Sequence, residues 1–200
     1  MAFELKSARY LARDILAAAI SPGDTVVDAT MGNGYDTLFL CEAVGPGGQV
    51  YAFDIQEQAL RATEQRLREN GLLDRARLLA RGHEQMAEAV PGPVSAVVFN
   101  LGWLPGGDHQ VTTRWETTRT ALLAALELLQ PLGVLVVCAY PGHPEGDRER
   151  RELIAFLSGL SNRAFNVLRQ TFLNAGPGAP ECFAVQRLAQ TGKIKFDDIH

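Results

Sequence analysis

Asp28-Ala29-Thr30-Met31-Gly32-Asn33-Gly34 decides the fold of this 200-residue chain. It stands directly behind the apolar run Thr25-Val26-Val27 and ahead of a helical pattern from Tyr35. A β-branched run that breaks into glycines and resumes as a helix reads as strand, tight turn, helix. Glycines in such a turn let backbone N–H groups approach a ligand with no Cβ in the way. The next apolar run, Gln49-Val50-Tyr51-Ala52-Phe53, ends on Asp54, twenty positions after Gly34. An open α/β sheet places a carboxylate at that spacing against ribose hydroxyls. Asp28, Gly32, Gly34 and Asp54 together predict a nucleoside-containing cofactor at the carboxyl ends of parallel strands.

The pattern on either side repeats strand and helix. Residues 3–20 read as an amphipathic helix, with Leu5, Ala8, Leu11, Ile15 and Ala19 near one face. Strands are expected at 25–29, 49–53, 76–80, 95–99 and 134–139. Helices are expected over 35–43, 56–70, 84–89, 114–129 and 147–157. Two late strands, 166–173 and 182–188, follow with no helix between them. Alternation implies a parallel sheet with helices on both faces, and the closing pair implies an antiparallel hairpin at one edge. The expectation is a Rossmann-like α/β fold with a seven-stranded, mostly parallel sheet. It forms a single domain over residues 1–200, with a loosely held tail from about 190.

Hydrophobic residues make up 46% of the chain and charged residues 21%, enough apolar material for a core without staples. Cys41, Cys138 and Cys182 are odd in number and far apart, which argues for a reduced, cytoplasmic setting. Cys138 lies within the apolar run 134–139 and reads as a small buried hydrophobe. Glu4, Lys6, Arg9, Arg13 and Asp14 break up any signal-peptide layout. No apolar segment is long enough to cross a bilayer, so no membrane partner is expected. A net charge of −4 is not the footprint of a general nucleic-acid binder, yet leaves room for a basic patch facing a compact RNA. A homodimer is compatible with the sequence, which carries no direct signal of oligomeric state.

Dinucleotide and S-adenosylmethionine folds share the glycine turn, and three details favour the second. The third glycine of a G-x-G-x-x-G fingerprint falls at Thr37, where a side chain spoils close packing under a pyrophosphate. Asp28 suits the cationic end of S-adenosylmethionine and repels a pyrophosphate. The late hairpin is the arrangement of class I methyltransferases. Asp36 and Thr37 are either helix-start residues or ligand contacts. Gly82-His83, after the third strand, is either an adenine wall or a turn with a surface histidine.

Asn100-Leu101-Gly102-Trp103 follows the fourth strand, where a parallel sheet presents residues to a substrate. Methyl transfer from a sulfonium mainly requires positioning of a neutral nucleophile. An Asn100 carbonyl can hold an amino N–H, and the Trp103 ring can stack on a base. The run resembles the Asn-Pro-Pro-aromatic motif of amino methyltransferases, with Leu-Gly in place of Pro-Pro. Asp108 or His109, in the polar loop that follows, can accept a proton from an ammonium nucleophile. Tyr140 and His143, after the fifth strand, form a second wall of the cleft and substrate contacts. His109 and His143 lack any supporting cysteine or carboxylate spacing, so no metal is expected. Arg114, Arg119, Arg148, Arg150 and Arg151 either reach RNA phosphates or pair with neighbouring glutamates.

Four segments together resemble a family long labelled putative rRNA methylases: residues 28–37, Phe53-Asp54-Ile55-Gln56, residues 100–108 and Tyr140-Pro141-Gly142-His143. The resemblance spans about residues 6–188. It implies a class I fold, S-adenosylmethionine as donor and an exocyclic amine as acceptor. Members are associated with methylating 5-aminomethyl-2-thiouridine at the tRNA wobble position, so tRNA is the implied partner. It also implies that Thr30, Asn33, Ile55, Gln56 and Leu101 join the cofactor site. Trp103 stands where the family often has Tyr, and the loop 174–180 is looser than the family's paired prolines. Competing expectations are a methyltransferase for rRNA or a small amine, a nicotinamide-dependent oxidoreductase, and a silent RNA-binding module.

Overall fold

A computed structural model describes residues 7–176, 178–190, 192, 194 and 196–199. In chain order the elements are α1 (Ala8–Ala19), β1 (Thr25–Asp28), α2 (Tyr35–Val44), β2 (Gln49–Asp54), α3 (Glu57–Glu69) and β3 (Ala76–Ala80). The second half adds α4 (Met86–Ala89), β4 (Val94–Leu101), α5 (Trp115–Leu128), β5 (Leu129–Ala139), α6 (Pro144–Ser158), β6 (Phe165–Gln170), β7 (Glu181–Arg187) and α7 (Phe196–Ile199). The seven strands form one sheet in the order β3-β2-β1-β4-β5-β7-β6. The first five run parallel, and β7 lies antiparallel to both β5 and β6. This is the Rossmann-like, mostly parallel sheet with a closing hairpin that the alternation predicts.

The central strands β1, β2, β4 and β5 are apolar on both faces because helices cover them twice, while the edge strands β3 and β6 are more exposed. Val26, Val50, Ala96, Val98, Val134 and Val136 face α1, α2 and α3 through Ala12, Leu16, Leu40 and Leu67. Val27, Phe53, Val97, Phe99, Leu135 and Val137 face α4, α5 and α6 through Met86, Leu122, Leu126 and Leu153. On α1 the fully buried stripe is Ala8, Ala12 and Leu16, while Ile15 and Ala19 pack at its edge. The start of the expected helix, 3–6, lies outside the described residues. Cys41, Cys138 and Cys182 are all free and buried.

Several boundaries differ from the sequence reading. β5 starts at Leu129, because the register against β4 shifts between Val94 and Ala96 and takes up residues 130–133 as a bulge, with Pro131 and Leu132 exposed. β6 ends at Gln170, its last pair with β7 being Gln170 and Cys182; Phe172 and Leu173 are exposed beyond it. The expected loose tail is partly docked: Ile194 and Ile199 are buried against the α5–α6 face.

Candidate active site

Strand succession runs outward from β1 to β3 on one side and resumes at β4 on the other. Such a reversal opens a crevice at the carboxyl ends of the strands. The 28–34 turn leaves β1 on one lip, and the long loop from Asn100 leaves β4 on the other. Thr30 ties the lips together: its Oγ1 accepts a hydrogen bond from the Asn100 N–H at 2.7 Å. Two adjoining cavities, about 260 and about 680 Å³, share Thr30, Gly32, Asn100, Gly102, Trp103 and Pro105 as a common wall.

The smaller cavity is built on Asp54, which ends β2. Its Oδ2 accepts from Gly32 N at 3.1 Å and its Oδ1 from Gln56 N at 2.9 Å. A carboxylate has further lone pairs, so each oxygen still has acceptor capacity. Burial pushes the Asp54 pKa up, and the backbone N–H bonds oppose that shift. Phe53, Ile55, Gly82 and His83 form an apolar shelf beside it. His83 is a buried wall residue, not a surface histidine. Its Nδ1 lies 3.2 Å from the Ala29 carbonyl, which can only accept, so Nδ1 carries the proton. Burial holds the His83 pKa below its ordinary value, and the neutral ring sits edge-on to Phe99. Leu104, Val111 and Thr112 of the long loop close the top.

Part of the glycine turn supports the site without lining it. Asp28 is fully buried, and its carboxylate accepts from Thr30 N at 3.2 Å and from Thr37 Oγ1 at 2.7 Å. It lines neither cavity, and its bonds within the turn hold the turn in place. Burial, reinforced by the nearby Asp36 carboxylate, raises its pKa to about 7. Thr37 is equally buried and serves Asp28. Gly34 lines no cavity either. It caps α2 with φ +77°, and a Cβ there would stand 2.8 Å from Thr63 Cα on α3. The glycine is demanded by helix–helix approach as much as by the turn.

The larger cavity has Asn100 at its base. Asn100 Nδ2 donates to Asp36 Oδ2 at 2.9 Å, and Tyr140 Oη donates to Asn100 Oδ1 at 3.4 Å. A carboxylate only accepts, so the amide nitrogen must face Asp36 and the amide oxygen must face the cleft. Arg13 holds Asp36 from α1, with Nε and Nη2 both at 3.0 Å from Oδ1, and Arg9 stands 3.8 Å away. Asp36 therefore lines the acceptor side and orients Asn100, where the sequence reading placed it with the cofactor. Asn33 and Leu101 also line this cavity and not the smaller one. Asn33 Nδ2 donates to the Pro105 carbonyl across the crevice.

Trp103 belongs to both cavities. Its ring is packed against His109 at 4.4 Å, nearly parallel, and against His143 at 4.3 Å. His109 and Asp108 line neither cavity. Asp108 Oδ1 instead accepts from Gln110 N, closing a loop turn. His143 Nδ1 accepts from Gly146 N and caps α6, which starts at Pro144.

Glu149 is a site-supporting residue that the sequence reading took only as a neighbour for arginines. It is buried on α6, and its two oxygens accept from Thr113 and Thr118 hydroxyls at 2.6 Å each. Burial raises its pKa. Thr113 Oγ1 in turn accepts from Gly102 N at 2.8 Å, so Glu149 pins both ends of the long loop. Of the arginines expected either to reach RNA phosphates or to pair with glutamates, Arg148 pairs with Glu116 at 2.6 Å and Arg150 with Glu181 at 2.6 Å. Among the described residues, no group of three or more His, Cys, Asp or Glu side chains is placed to hold a metal ion.

Residues 50–186 match the family model described as "Putative rRNA methylase". The chain belongs to that family. It is 41% identical over 174 residues to the chloroplastic tRNA (mnm(5)s(2)U34)-methyltransferase of Arabidopsis thaliana, covering 79% of this chain. It spans only 61% of that relative's length. The crystal structure of a "putative rRNA-methylase" from Clostridium thermocellum superposes with a TM-score of 0.92 at 40% identity, over 93% of this chain and all of the other. A "putative methyltransferase" from Streptococcus mutans, solved in complex with SAH, gives a TM-score of 0.85 at 34% identity, over 92% of this chain and all of the other. The fold is that of class I methyltransferases.

Proposed function

We propose that the chain is an S-adenosylmethionine-dependent methyltransferase that N-methylates the aminomethyl group of 5-aminomethyl-2-thiouridine at the tRNA wobble position. The carrying observation is the Asn100 carboxamide: it stands in the wall between the two cavities, and Asp36 turns its oxygen toward the cleft. The smaller cavity fits a sulfonium nucleoside. Asp54 keeps acceptor capacity for two ribose hydroxyls, Ile55 and His83 flank a flat apolar space, and Gly32 leaves room beside the wall. Bound there, S-adenosylmethionine supplies an electrophilic methyl group.

In this reading Asn100 Oδ1 accepts one N–H of the acceptor amine and aims its lone pair across the shared wall. Tyr140 and Trp103 bound the acceptor, and the 100–113 loop keeps water from the reacting atoms. Asp108 and His109 lie on the loop outside both cavities, so a proton leaving the ammonium reaches solvent past Trp103. The relative's printed activity and the family match support the tRNA substrate. The three buried free cysteines support a reducing, cytoplasmic setting. Among the described residues no helix is long and apolar enough to cross a membrane. The exposed apolar edge of β6, at Val167 and Leu168, supports association into a homodimer.

Labelled methyl transfer tests the reading. Incorporation into tRNA bearing 5-aminomethyl-2-thiouridine, with none into rRNA or free amines, is the expected result. Transfer to rRNA alone would replace this reading with the rRNA one.

A further inference from the structure

Arg9 lines the acceptor cavity, and Arg66 stacks on the lining residue Tyr35; neither is on the helices after the loops. They sit on α1 and α3, both against the ring of Tyr35 at the start of α2. The Arg66 guanidinium lies 3.7 Å from the Tyr35 ring centroid, and that of Arg9 lies 5.4 Å from it. Tyr35 is half exposed, and Tyr35 and Arg9 both line the larger cavity. Arg66 Nε donates to the Asn33 carbonyl at 2.8 Å, which fixes its plane and leaves the terminal nitrogens out of that bond. No carboxylate among the described residues pairs with Arg66. Arg9 is 3.8 Å from Asp36, a carboxylate already taken by Arg13. A cation held on an aromatic face loses little freedom when it binds an anion, and a guanidinium matches a phosphate bidentately. The two guanidinia thus make a rigid positive ladder at the mouth of the acceptor cavity, in a chain whose net charge is −4.

We infer that the Arg9–Tyr35–Arg66 ladder grips the phosphate backbone of the RNA strand that carries the acceptor nucleotide. The inference rests on the RNA-substrate reading and adds where the strand enters. The strand crosses the carboxyl ends of β1 and β4 on the α1–α3 side, and its acceptor base drops into the larger cavity. Arg148 and Arg150, committed to Glu116 and Glu181, stay off the path.

The test is fluorescence polarisation of labelled bulk tRNA across a potassium chloride series, with the full chain and its Arg9→Ala, Arg66→Ala and Arg148→Ala variants. Each ladder variant should weaken binding several-fold at fixed salt. Each should also lower the slope of log K against log[salt] by about 0.7 to 1. Arg148→Ala should leave both unchanged. Arg66→Lys, which keeps the charge, should restore the slope. Calorimetric S-adenosylhomocysteine affinity within twofold of the parent for Arg9→Ala shows that the fold survives. A parent chain that binds tRNA while both ladder variants bind it with the same affinity and slope would overturn the ladder alone. A parent chain with no affinity for tRNA would overturn the substrate reading with it.

Discussion

Asp36→Asn is the sharpest perturbation of the proposed chemistry, because it changes no volume and removes one charge. In the parent, Asp36 accepts from Asn100 on one oxygen and from Arg13 on the other. An asparagine at 36 has one acceptor and one donor. It must point its NH₂ group at either Arg13 or Asn100, and both are donors. Facing Arg13 with the oxygen leaves donor against donor at Asn100, which relieves the clash by flipping its carboxamide. The flipped Asn100 presents N–H groups to an acceptor amine whose lone pair is needed for attack. A hydrogen bond to a charged group is worth about 1.5–3 kcal/mol net. At about 1.4 kcal/mol per tenfold in rate, kcat should fall about 10- to 150-fold. Asp36 lines only the acceptor cavity, so S-adenosylhomocysteine affinity should hold within twofold. Steady-state methyl transfer to tRNA, paired with calorimetry, reads both quantities. A kcat within threefold of the parent, or a parallel loss of donor affinity, would refute the orienting role.

Asp54→Ala removes the acceptor assigned to the ribose, and calorimetry should show S-adenosylhomocysteine binding at least about tenfold weaker; unchanged affinity would reject the assignment. Asp28→Asn removes a carboxyl whose folded pKa of about 7 lies above its ordinary 3.8. The folded state holds that proton longer, so the Asp28 contribution is fully present below about pH 4 and is lost as pH rises through 7. The parent should therefore lose up to about 1.4 kcal/mol per pH unit across that window relative to the variant. Parallel melting curves from pH 4 to 7.5 would contradict this. Gly34→Ala combines left-handed strain with a Cβ at 2.8 Å from Thr63 Cα, so a loss of about 2–4 kcal/mol and a Tm lower by about 5–15 °C are expected in thermal melts. Glu149→Ala leaves the Thr113 and Thr118 hydroxyls without their acceptor. At a cost of about 1–3 kcal/mol it should loosen the 100–113 loop and raise KM for the donor more than it lowers kcat.

The sheet was legible because its signals are local. Valine runs ending in glycine or aspartate give strand tips, and their spacing gives the parallel order. Asp54, Gly32 and Asn100 are strand-tip residues, and their place at the crevice follows from that position alone. Roles set by partners far along the chain were not legible. Asp36 reads as a helix-start residue or a cofactor contact until α1 folds across it and brings Arg13 from 23 positions away. Asp28 has the look of a ligand contact, yet Thr37 and burial turn it inward. Glu149 lies in a run of charges that resembles a solvated face. Only the packing of α6 on α5 puts it beside Thr118. A residue type reports which bonds it can make, and tertiary packing decides which of them it does make.

A crystal structure of this chain with S-adenosylhomocysteine bears most directly on the account. The ribose should hydrogen-bond to Asp54, the base should lie between Ile55 and His83, and the sulfur should face the Asn100 amide oxygen. A ligand seated with its sulfur away from Asn100, or bound outside the crevice between β1 and β4, would contradict it.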